Sequence, residues 1–501
     1  MLPSQTIIVG AGLSGLSAAK ILKESKKDIL VLEARNRVGG RTYTVHDPIH
    51  GKADLGGAYV GPTQDNVFQL AEEYGLKFYN VNDKEKTVLN FTNHWFKYSG
   101  VIPPVSNPLI IMDLNNAIRT LETMASQVPK HAPWMAEKAA EWDSQTVKEY
   151  INKICWTQFT KDGIDAFIRA VFCVEPHEIS LLSSLWYIHN GGGVSKLTDI
   201  TNGAQEKKFV GGSQQLSSKI ADSLGDCLKL SSPVVHIKQS DSGVELIDKE
   251  GKQYNADYVI LAIPPSLLSK ITFDPPLPGD KRLLIQRMPM GSIIKTIMYY
   301  EEPFWKKLDM CGSAVSSSGP VCYCMDDTKP DGTHPAIMGF ILANQARHLM
   351  YLSKEERREA LCKHYAKTFK CDKFLQPIGY LEHNWIEEEF SGGCYTSVLP
   401  PGVLSTMVKC LREPFGRVHF AGTETATKWS GYMDGAIQAG YRAGREVLHR
   451  LEGKAIPAIE QEAAMVIKRD IVETWLPSIT SLLWSMAVAV FGIMSYYFFQ
   501  K

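Results

Sequence analysis

The sequence has no surplus of charge of either sign, with 54 Lys and Arg against 54 Asp and Glu in 501 residues. A dedicated nucleic-acid binder would carry a basic excess, so that class is excluded. Internal repeats and low-complexity segments are missing, and 39 Gly with 26 Pro is near average usage, which removes collagen-like readings. A mainly disordered chain is excluded by 44% hydrophobic and 10% aromatic residues. No two of the ten cysteines have the C-x-x-C spacing of a redox pair or a zinc array, and ten in this length is no disulfide scaffold. Free thiols in a reducing compartment are expected. No positive stretch precedes the first apolar run, so no signal peptide is expected. The length suits about three domain-sized units and is ample to bury a large core.

Charge is also missing from the C-terminal end: Glu473 is the last charged residue before Lys501. The 27 residues Thr474–Gln500 would span about 40 Å as a helix, against about 30 Å of bilayer hydrocarbon. Pro477 suits a first helical turn. Trp475 and Trp484 toward one end, with Tyr496 and Tyr497 toward the other, match headgroup-level aromatics. A single span with the bulk of the chain on the cytosolic side is expected, the competing reading being a buried core helix.

What is present begins at the N-terminus. Thr6–Val9 reads as a buried strand, Leu16–Leu22 as a helix and Ile29–Leu32 as a second buried strand, a βαβ unit. Between strand and helix lies Gly10-Ala11-Gly12-Leu13-Ser14-Gly15. Glycines in this pattern make the tight turn, let backbone approach a pyrophosphate and allow close helix packing. The helix N-terminus faces the phosphates. Glu33 ends the second strand, 18 residues after Gly15, where a carboxylate accepts from ribose hydroxyls and disfavours a 2′-phosphate. These residues leave FAD and NAD open. Farther on, strands are expected at Val234–Ile237, Tyr258–Ile263 and Ile293–Tyr300, and helices at Glu355–Phe369 and Ala436–Leu451. Glu452–Lys468 reads as a connector with a surface helix.

Three further strings bear on chemistry. Arg35-Asn36-Arg37-Val38-Gly39-Gly40-Arg41 suits a loop closing over a pyrophosphate with guanidinium partners, or a plain surface turn. Ser391-Gly392-Gly393-Cys394-Tyr395-Thr396 sets a thiol among small residues, where it could meet a planar ring or be an inert buried Cys. Phe420-Ala421-Gly422-Thr423-Glu424-Thr425, then Trp429 to Ala436, places backbone and a helix N-terminus where they could meet a ligand.

Together these strings, with Leu55-Gly56-Gly57-x-Tyr59-Val60-Gly61-Pro62-Thr63-Gln64, resemble the monoamine oxidases, the membrane-bound branch of the flavin amine oxidases. The resemblance runs from Ile7 to the apolar tail. It implies an α/β fold: a Rossmann-like FAD-binding domain (1–80, 210–285, 391–452) interleaved with a mixed α+β substrate domain (81–209, 286–390). A connector (453–473) and a C-terminal transmembrane helix (474–500) in the mitochondrial outer membrane would follow. FAD would be linked through an 8α-S-cysteinyl bond at Cys394. It would be held by Gly10, Gly12, Ser14, Gly15, Glu33, Arg35, Gly40, Arg41, Val234, Trp385, Gly422, Thr423, Glu424 and Met433.

The same resemblance makes Tyr395 and Tyr432 an aromatic cage and puts Lys295 near flavin N5, assisting reoxidation by oxygen. By its own sequence, Lys295 reads as an edge-strand charge reaching water. Tyr59, Phe167, Tyr187, Thr198, Gln205, Tyr323 and Phe340 match substrate-cavity positions. A mostly aromatic cavity suits arylalkylamines. Amino acids would want an Arg and polyamines would want carboxylates, and neither is expected there. No metal is expected.

Several residues depart from the family pattern. Thr198 replaces a bulky gate residue, Ala170 and Val171 are unusual, and Lys428 replaces a His. Tyr323 agrees with the phenylethylamine-preferring form, so the subtype stays open. Cys155 and Cys362 match cysteines with a family history, but read as structural.

The implied reaction is oxidative deamination of arylalkyl monoamines by oxygen, giving an imine, then aldehyde, ammonia and hydrogen peroxide. Hydride and polar nucleophilic routes are both compatible. A polyamine or amino-acid oxidase of the same fold, or a non-catalytic FAD-binding membrane scaffold, are the alternatives. Amine, oxygen and membrane lipid are the expected partners, with a homodimer possible and no nucleic acid.

Overall fold

The computed structural model describes residues 4–91, 94–100, 104–453 and 474–499, with side chains of the last helix described to residue 490. Of the connector expected at 453–473, residues 454–473 lie outside the described residues.

The N-terminal strand runs Ser4–Val9, and its last four residues are buried, as β-branched and aliphatic side chains covered on both faces require. It pairs in parallel with Ile29–Leu32 on one side and Gln253–Leu261 on the other. The crossover helix Leu13–Glu24 fills the connection. Leu228–Lys229, Gly243–Asp248, Val234–Ser240, Thr272–Asp274 and Val418–Phe420 complete an eight-stranded sheet. This sheet therefore draws on three distant stretches of chain.

Over the crossover helix lies Met433–Glu452, the longer helix begun by the expected Ala436 run. The two approach closely because Gly440 faces the Ser14 carbonyl, where a Cβ would collide with backbone. Gly440→Val should therefore cost about 1–3 kcal/mol of stability or more. Thermal unfolding of the holoprotein reads that loss, and an unchanged midpoint would refute the packing argument.

A second sheet has seven strands, in the order Gly379–Asn384, Ile293–Tyr299, Ala336–Leu342, Tyr323–Asp326, Met310–Ser316, Lys86–Phe91, His94–Tyr98. Ile293–Tyr299 lies inside it, buried at every residue, so Lys295 is not an edge-strand charge. Helices from Pro108 to Asn190 pack together into their own core. One of them, Gln158–Phe172, is held at its start by Thr157, whose hydroxyl caps Thr160 N–H. The Asp113 carboxylate accepts from the backbone N–H of Trp156 and Thr157 at 2.7–3.1 Å. That double anchor fixes the helix opposite the second sheet, and the space between them is the cavity described below.

The last helix is Ile479–Phe499, entirely without charged residues. Among the described residues no helix is long and apolar enough to cross a membrane. The expected span over 474–500 falls partly on side chains outside the described residues. Arg119 donates to the carbonyls of Thr474 and Leu476 at 3.2 Å, tying the base of the tail to helix Pro108–Ala125. Among the described residues no disulfide joins any of the ten cysteines.

Candidate active site

A single cavity of about 880 Å³ runs from the Gly10–Ser14 turn, past Cys394 and Lys295, to Asp83 and Tyr98. Its floor is one face of the seven-stranded sheet. Lys295 pairs with Phe340, Phe340 with Tyr323, Tyr323 with Val315 and Val315 with Leu89, one row across five strands. At about 4.8 Å per strand that row is roughly 19 Å long. All five residues line the cavity, and Phe167, Ala170 and Val171 of helix Gln158–Phe172 form part of the opposite wall.

The dinucleotide end fits an adenine dinucleotide on three counts. Gly10 takes φ +101°, and a Cβ there would sit 2.8 Å from the Ala262 carbonyl oxygen. Helix Leu13–Glu24 has Gly12 at its N-cap with no side-chain cap, leaving its first N–H groups for an anion. A Cβ on Gly12 would meet only the Gly39 carbonyl at 4.0 Å, so nothing blocks the approach. Ser14, Glu33, Arg35, Gly40, Val234, Gly422, Thr423 and Met433 line this part with Gly10 and Gly12.

Two expected ligands do not line the cavity. Gly15 lies behind it, facing the Gly10 carbonyl, where it permits the helix to approach the strand. Glu424 lies behind Arg41, accepting from both of its terminal nitrogens at 2.6 and 3.1 Å. Burial opposes ionisation of Glu424, but Arg41 outweighs it and holds the carboxyl below its usual range.

The arginines are more engaged than the sequence suggests. Arg35 forks onto Glu388 at 2.6 Å and also donates to Ser391 at 3.0 Å. Arg41 donates to the Tyr395 carbonyl at 2.8 Å. Arg37 folds over the Tyr43 ring, 4.2 Å from its centroid, and donates to the carbonyls of Val38, Gly40 and Thr42, closing the loop. Glu33 uses one oxygen on Ala11 N–H at 2.6 Å and the other on Arg35 N–H at 3.0 Å. Each oxygen keeps a second lone pair for a ribose. Ser14 accepts from Gly422 N–H at 2.9 Å, stitching the first motif to the last.

Cys394, Lys295, Tyr395, Tyr432, Trp385 and Tyr59 meet at the middle. Burial pushes the Cys394 thiol up to about 12, against the pull of Arg41 and Arg35. Phe340 meets Tyr395 edge-on at 5.9 Å, and Trp429 meets Tyr432 edge-on at 4.8 Å, so each of the two tyrosine rings is braced by another aromatic. Tyr187 lies between Phe172 and Tyr432, tilted against each, with ring centroids 4.7 and 6.2 Å away. Trp385 donates its indole N–H to the Leu55 carbonyl at 2.9 Å.

Lys295, 3% exposed, donates to the Gly56 carbonyl at 2.8 Å. Burial and then the nearby Lys208 bring its ammonium down to about 8. Lys208 was not legible as a site residue. It forms a buried ion pair with Asp327 under Tyr59, whose ring has the Lys208 and Lys295 ammonium groups 5.5 and 5.7 Å from its centroid. Burial opposes the Asp327 charge, but Lys208 and Lys329 bring its carboxyl to about 2.

The remaining pocket residues, Phe167, Tyr187, Thr198, Gln205, Tyr323 and Phe340, all line the cavity. Gln205 donates to the Leu197 carbonyl at 3.2 Å, while its Oε1 has no partner among the described residues. Thr198 is exposed, its hydroxyl turned onto the Val194 carbonyl at 3.1 Å. Cys155 and Cys362 are buried off the cavity, in keeping with structural roles. One expectation fails: the pocket does hold carboxylates, since Asp83, Glu85 and Asp199 line its outer end. Leu89, Phe91 and Val315 were also missed, although Thr87-x-Leu89-x-Phe91 has the alternation of a half-buried strand. Among the described residues no group of side chains could hold a metal ion.

Comparison with known proteins agrees with this geometry. Residues 13–448 match the model of the family described as flavin containing amine oxidoreductase. The chain is 47% identical to amine oxidase [flavin-containing] A of Canis lupus familiaris, covering 98% of this chain and 96% of that protein. It is 48% identical to amine oxidase [flavin-containing] B of Mus musculus, covering 96% and 94%. Among solved structures, cyclohexylamine oxidase from Brevibacterium oxydans is similar with a TM-score of 0.86 at 30% identity, over 90% of this chain and all of that one.

Proposed function

Since this chain belongs to the flavin containing amine oxidoreductase family, we propose that its cavity oxidises arylalkyl monoamines, primary ones first. The chain is an FAD-dependent amine oxidase, and oxidative deamination of monoamines is its activity. The observation that carries the finer reading is the row Lys295–Phe340–Tyr323 beneath Tyr395 and Tyr432, an aromatic slot that opens onto the dinucleotide end. Relatives of type A and type B are almost equally similar, which fits the mixed pocket residues and leaves serotonin-like and phenylethylamine-like substrates on one footing.

When bound, FAD accepts the two electrons and the α-hydrogen that leave the amine. The chain's own residues do the rest. Tyr395 and Tyr432 present ring faces that align a nitrogen-bearing chain and keep water from it. Phe340 and Tyr323 take the aryl group. No histidine lines the cavity, and its carboxylates stand toward the two ends, so among the described residues none is placed as a general base at the cage. Lys295 holds a positive charge at Nζ beside the slot, where it stabilises negative charge developing on oxygen. The released imine hydrolyses to an aldehyde and ammonia, and oxygen leaves as hydrogen peroxide.

Three finer points belong to the same proposal. Cys394 carries the FAD through a thioether; its place on the cavity wall beside Tyr395 supports this. The interleaved division is supported by the two sheets, each of which collects its strands from separated segments. The tail anchors the chain in the mitochondrial outer membrane, with the catalytic body on the cytosolic side. Its helix, about 32 Å long by its rise, exposes Trp484, Met486 and Val488 by more than half, surface that lipid would cover. Pairing with a second copy rests on family resemblance alone.

The test is peroxide release from a panel of 2-phenylethylamine, serotonin, putrescine and an L-amino acid. Turnover of the arylalkylamines alone is expected. Preference for putrescine or the amino acid would overturn the substrate class.

A further inference from the structure

One buried charge pair stands near Lys295 without lining the cavity: Lys208 and Asp327, each 2% exposed. Lys208 sits on the short strand Lys207–Phe209, the middle of a three-stranded sheet with Tyr59–Val60 and Phe78–Asn80. The register sets it directly opposite Tyr59 on one side and Tyr79 on the other, so the three side chains share a face. A lysine stem ordinarily bends out to water. This one is turned inward onto Asp327.

Asp327 belongs to the seven-stranded sheet. Its N–H donates to the Ala336 carbonyl at 2.8 Å, which carries the pairing of strand Tyr323–Asp326 one residue further. Alternation puts Asp327 on the face of Tyr323 and Met325. The register takes that face across Phe340 and Met338 to Lys295 and Ile297. Asp327 and Lys295 therefore project from the same face, the one that floors the cavity. Lys208 comes down on Asp327 from the smaller sheet. The Tyr59 ring, on the cavity wall, has the Lys208 ammonium 5.5 Å and the Lys295 ammonium 5.7 Å from its centroid.

A buried ion pair is a weak source of stability, because desolvation of both ions offsets most of their attraction. What it does supply is a field that the surrounding low dielectric barely screens. The charged groups that act on Lys295 are Lys208, Asp54, Asp327 and Lys329. Beside it in register stands His383, which is 3.2 Å from Glu388, and Tyr59 and Tyr323 complete its titratable surroundings. Asp54 is engaged by Thr44 Oγ1 at 2.6 Å and Ser213 N–H at 3.0 Å, and Lys329 lies 3.7 Å from the second Asp327 oxygen. After burial, Lys208 is the strongest influence on the Lys295 ammonium and lowers it, while Asp54 and then Asp327 work the other way. Burial would discharge Lys208 itself, but Asp327 outweighs it and holds that ammonium well above its ordinary value.

We propose that the Lys208–Asp327 pair is a positioning element for the oxygen half-reaction: Lys208 sets the pH range over which Lys295 carries its positive charge, and Asp327 keeps Lys208 charged and in place. This rests on the reading of Lys295 as the group that serves oxygen. A lysine at its ordinary value would stay charged throughout the neutral range. The second ammonium brings Lys295 to where its Nζ can both steady negative charge and release a proton.

The test reads Lys295 in two ways. Holoenzyme reduced anaerobically with dithionite is mixed with oxygen at a series of pH values, and the rates give one midpoint. Cyanate, which carbamylates only the neutral amine, gives the other when mass mapping follows the peptide that contains Lys295. In Lys208→Met both midpoints should rise by about one pH unit. With Lys208→Met and Asp327→Asn together they should rise by less, since the carboxylate that supports the Lys295 charge is gone as well. This double variant also leaves no unpaired buried carboxylate to unfold the protein. Lys208→Arg, a larger change of shape than Met, should keep both midpoints at the wild-type value. Unchanged midpoints in the Met and double variants overturn the proposal, as does an equal rise in the Arg variant, which marks displacement instead of charge. If the labelling midpoints stay put while the wild-type oxygen rate still falls through about pH 8, the proposal fails and the oxygen role of Lys295 stands. If labelling shifts and the oxygen rate does not follow, that role fails and the proposal with it. Dithionite supplies the electrons, so neither outcome depends on which amine is the substrate.

Discussion

Replacing Lys295 by Met is expected to slow reoxidation of the reduced enzyme by oxygen on the order of 10²-fold, with anaerobic reduction by amine nearly unchanged. The argument is positional. The ammonium lies on a fully buried central strand and is fixed by the Gly56 carbonyl. It points at the slot where the Tyr59 and Phe340 rings are each 5.7 Å away. Nothing in that geometry touches the amine's path along the sheet row in a way that its removal would block. The sign of the pH dependence follows from the lowered ammonium. Burial and Lys208 bring it to about 8, so its positive charge is present below that pH and lost above it. The oxygen reaction of the wild type should therefore slow as pH rises through about 8, and the Met variant should be flat across the same window. Stopped-flow traces of both half-reactions decide this. Slowed reduction with untouched reoxidation would make Lys295 a substrate-positioning group instead.

Lys295 also shows where the sequence stops being informative. Seen among Ile293, Ile294 and Thr296, it reads as a charge at a sheet edge, because nothing local says that strands from 336–342 and 379–384 close over it. The Gly10–Gly15 turn behaves differently. Its strand, turn, helix and acid are contiguous, so spacing alone carries the physics. Long-range pairs lie beyond that reach. Arg35 meets Glu388, 353 residues away, and Lys208 meets Asp327, 119 residues away. Neither residue of the second pair sits in a motif, yet the pair sets the field on Tyr59 and Lys295. The acidic outer end was missed for the same reason. Asp83 and Asp199 are ordinary exposed-looking acids until the fold sets both on the wall of one cavity with Tyr98. The missing charge of the tail is a purely local property, and the described part of its helix does expose apolar side chains.

The largest effect of a single conservative change is expected at Cys394. Wild-type protein, denatured in acid and washed, should keep its flavin absorbance, and mass mapping should place it on the peptide that contains Cys394. In Cys394→Ser all of the flavin should wash away, although the native variant still binds it. Most of the cradle does not involve the thiol: the uncapped helix at Gly12, the Glu33 carboxylate and the Ser14–Gly422 stitch are unchanged. A serine fits the same space and cannot form the thioether, so the comparison isolates the bond from the contacts. Burial keeps the thiol protonated up to about 12, and the Arg41 and Arg35 guanidinium groups offset only part of that rise. Flavin that washes from the wild type as well would leave the family and the oxidase activity in place. It would also remove the feature that separates this chain from relatives holding FAD non-covalently, and polyamine and amino-acid substrates would then compete on equal terms.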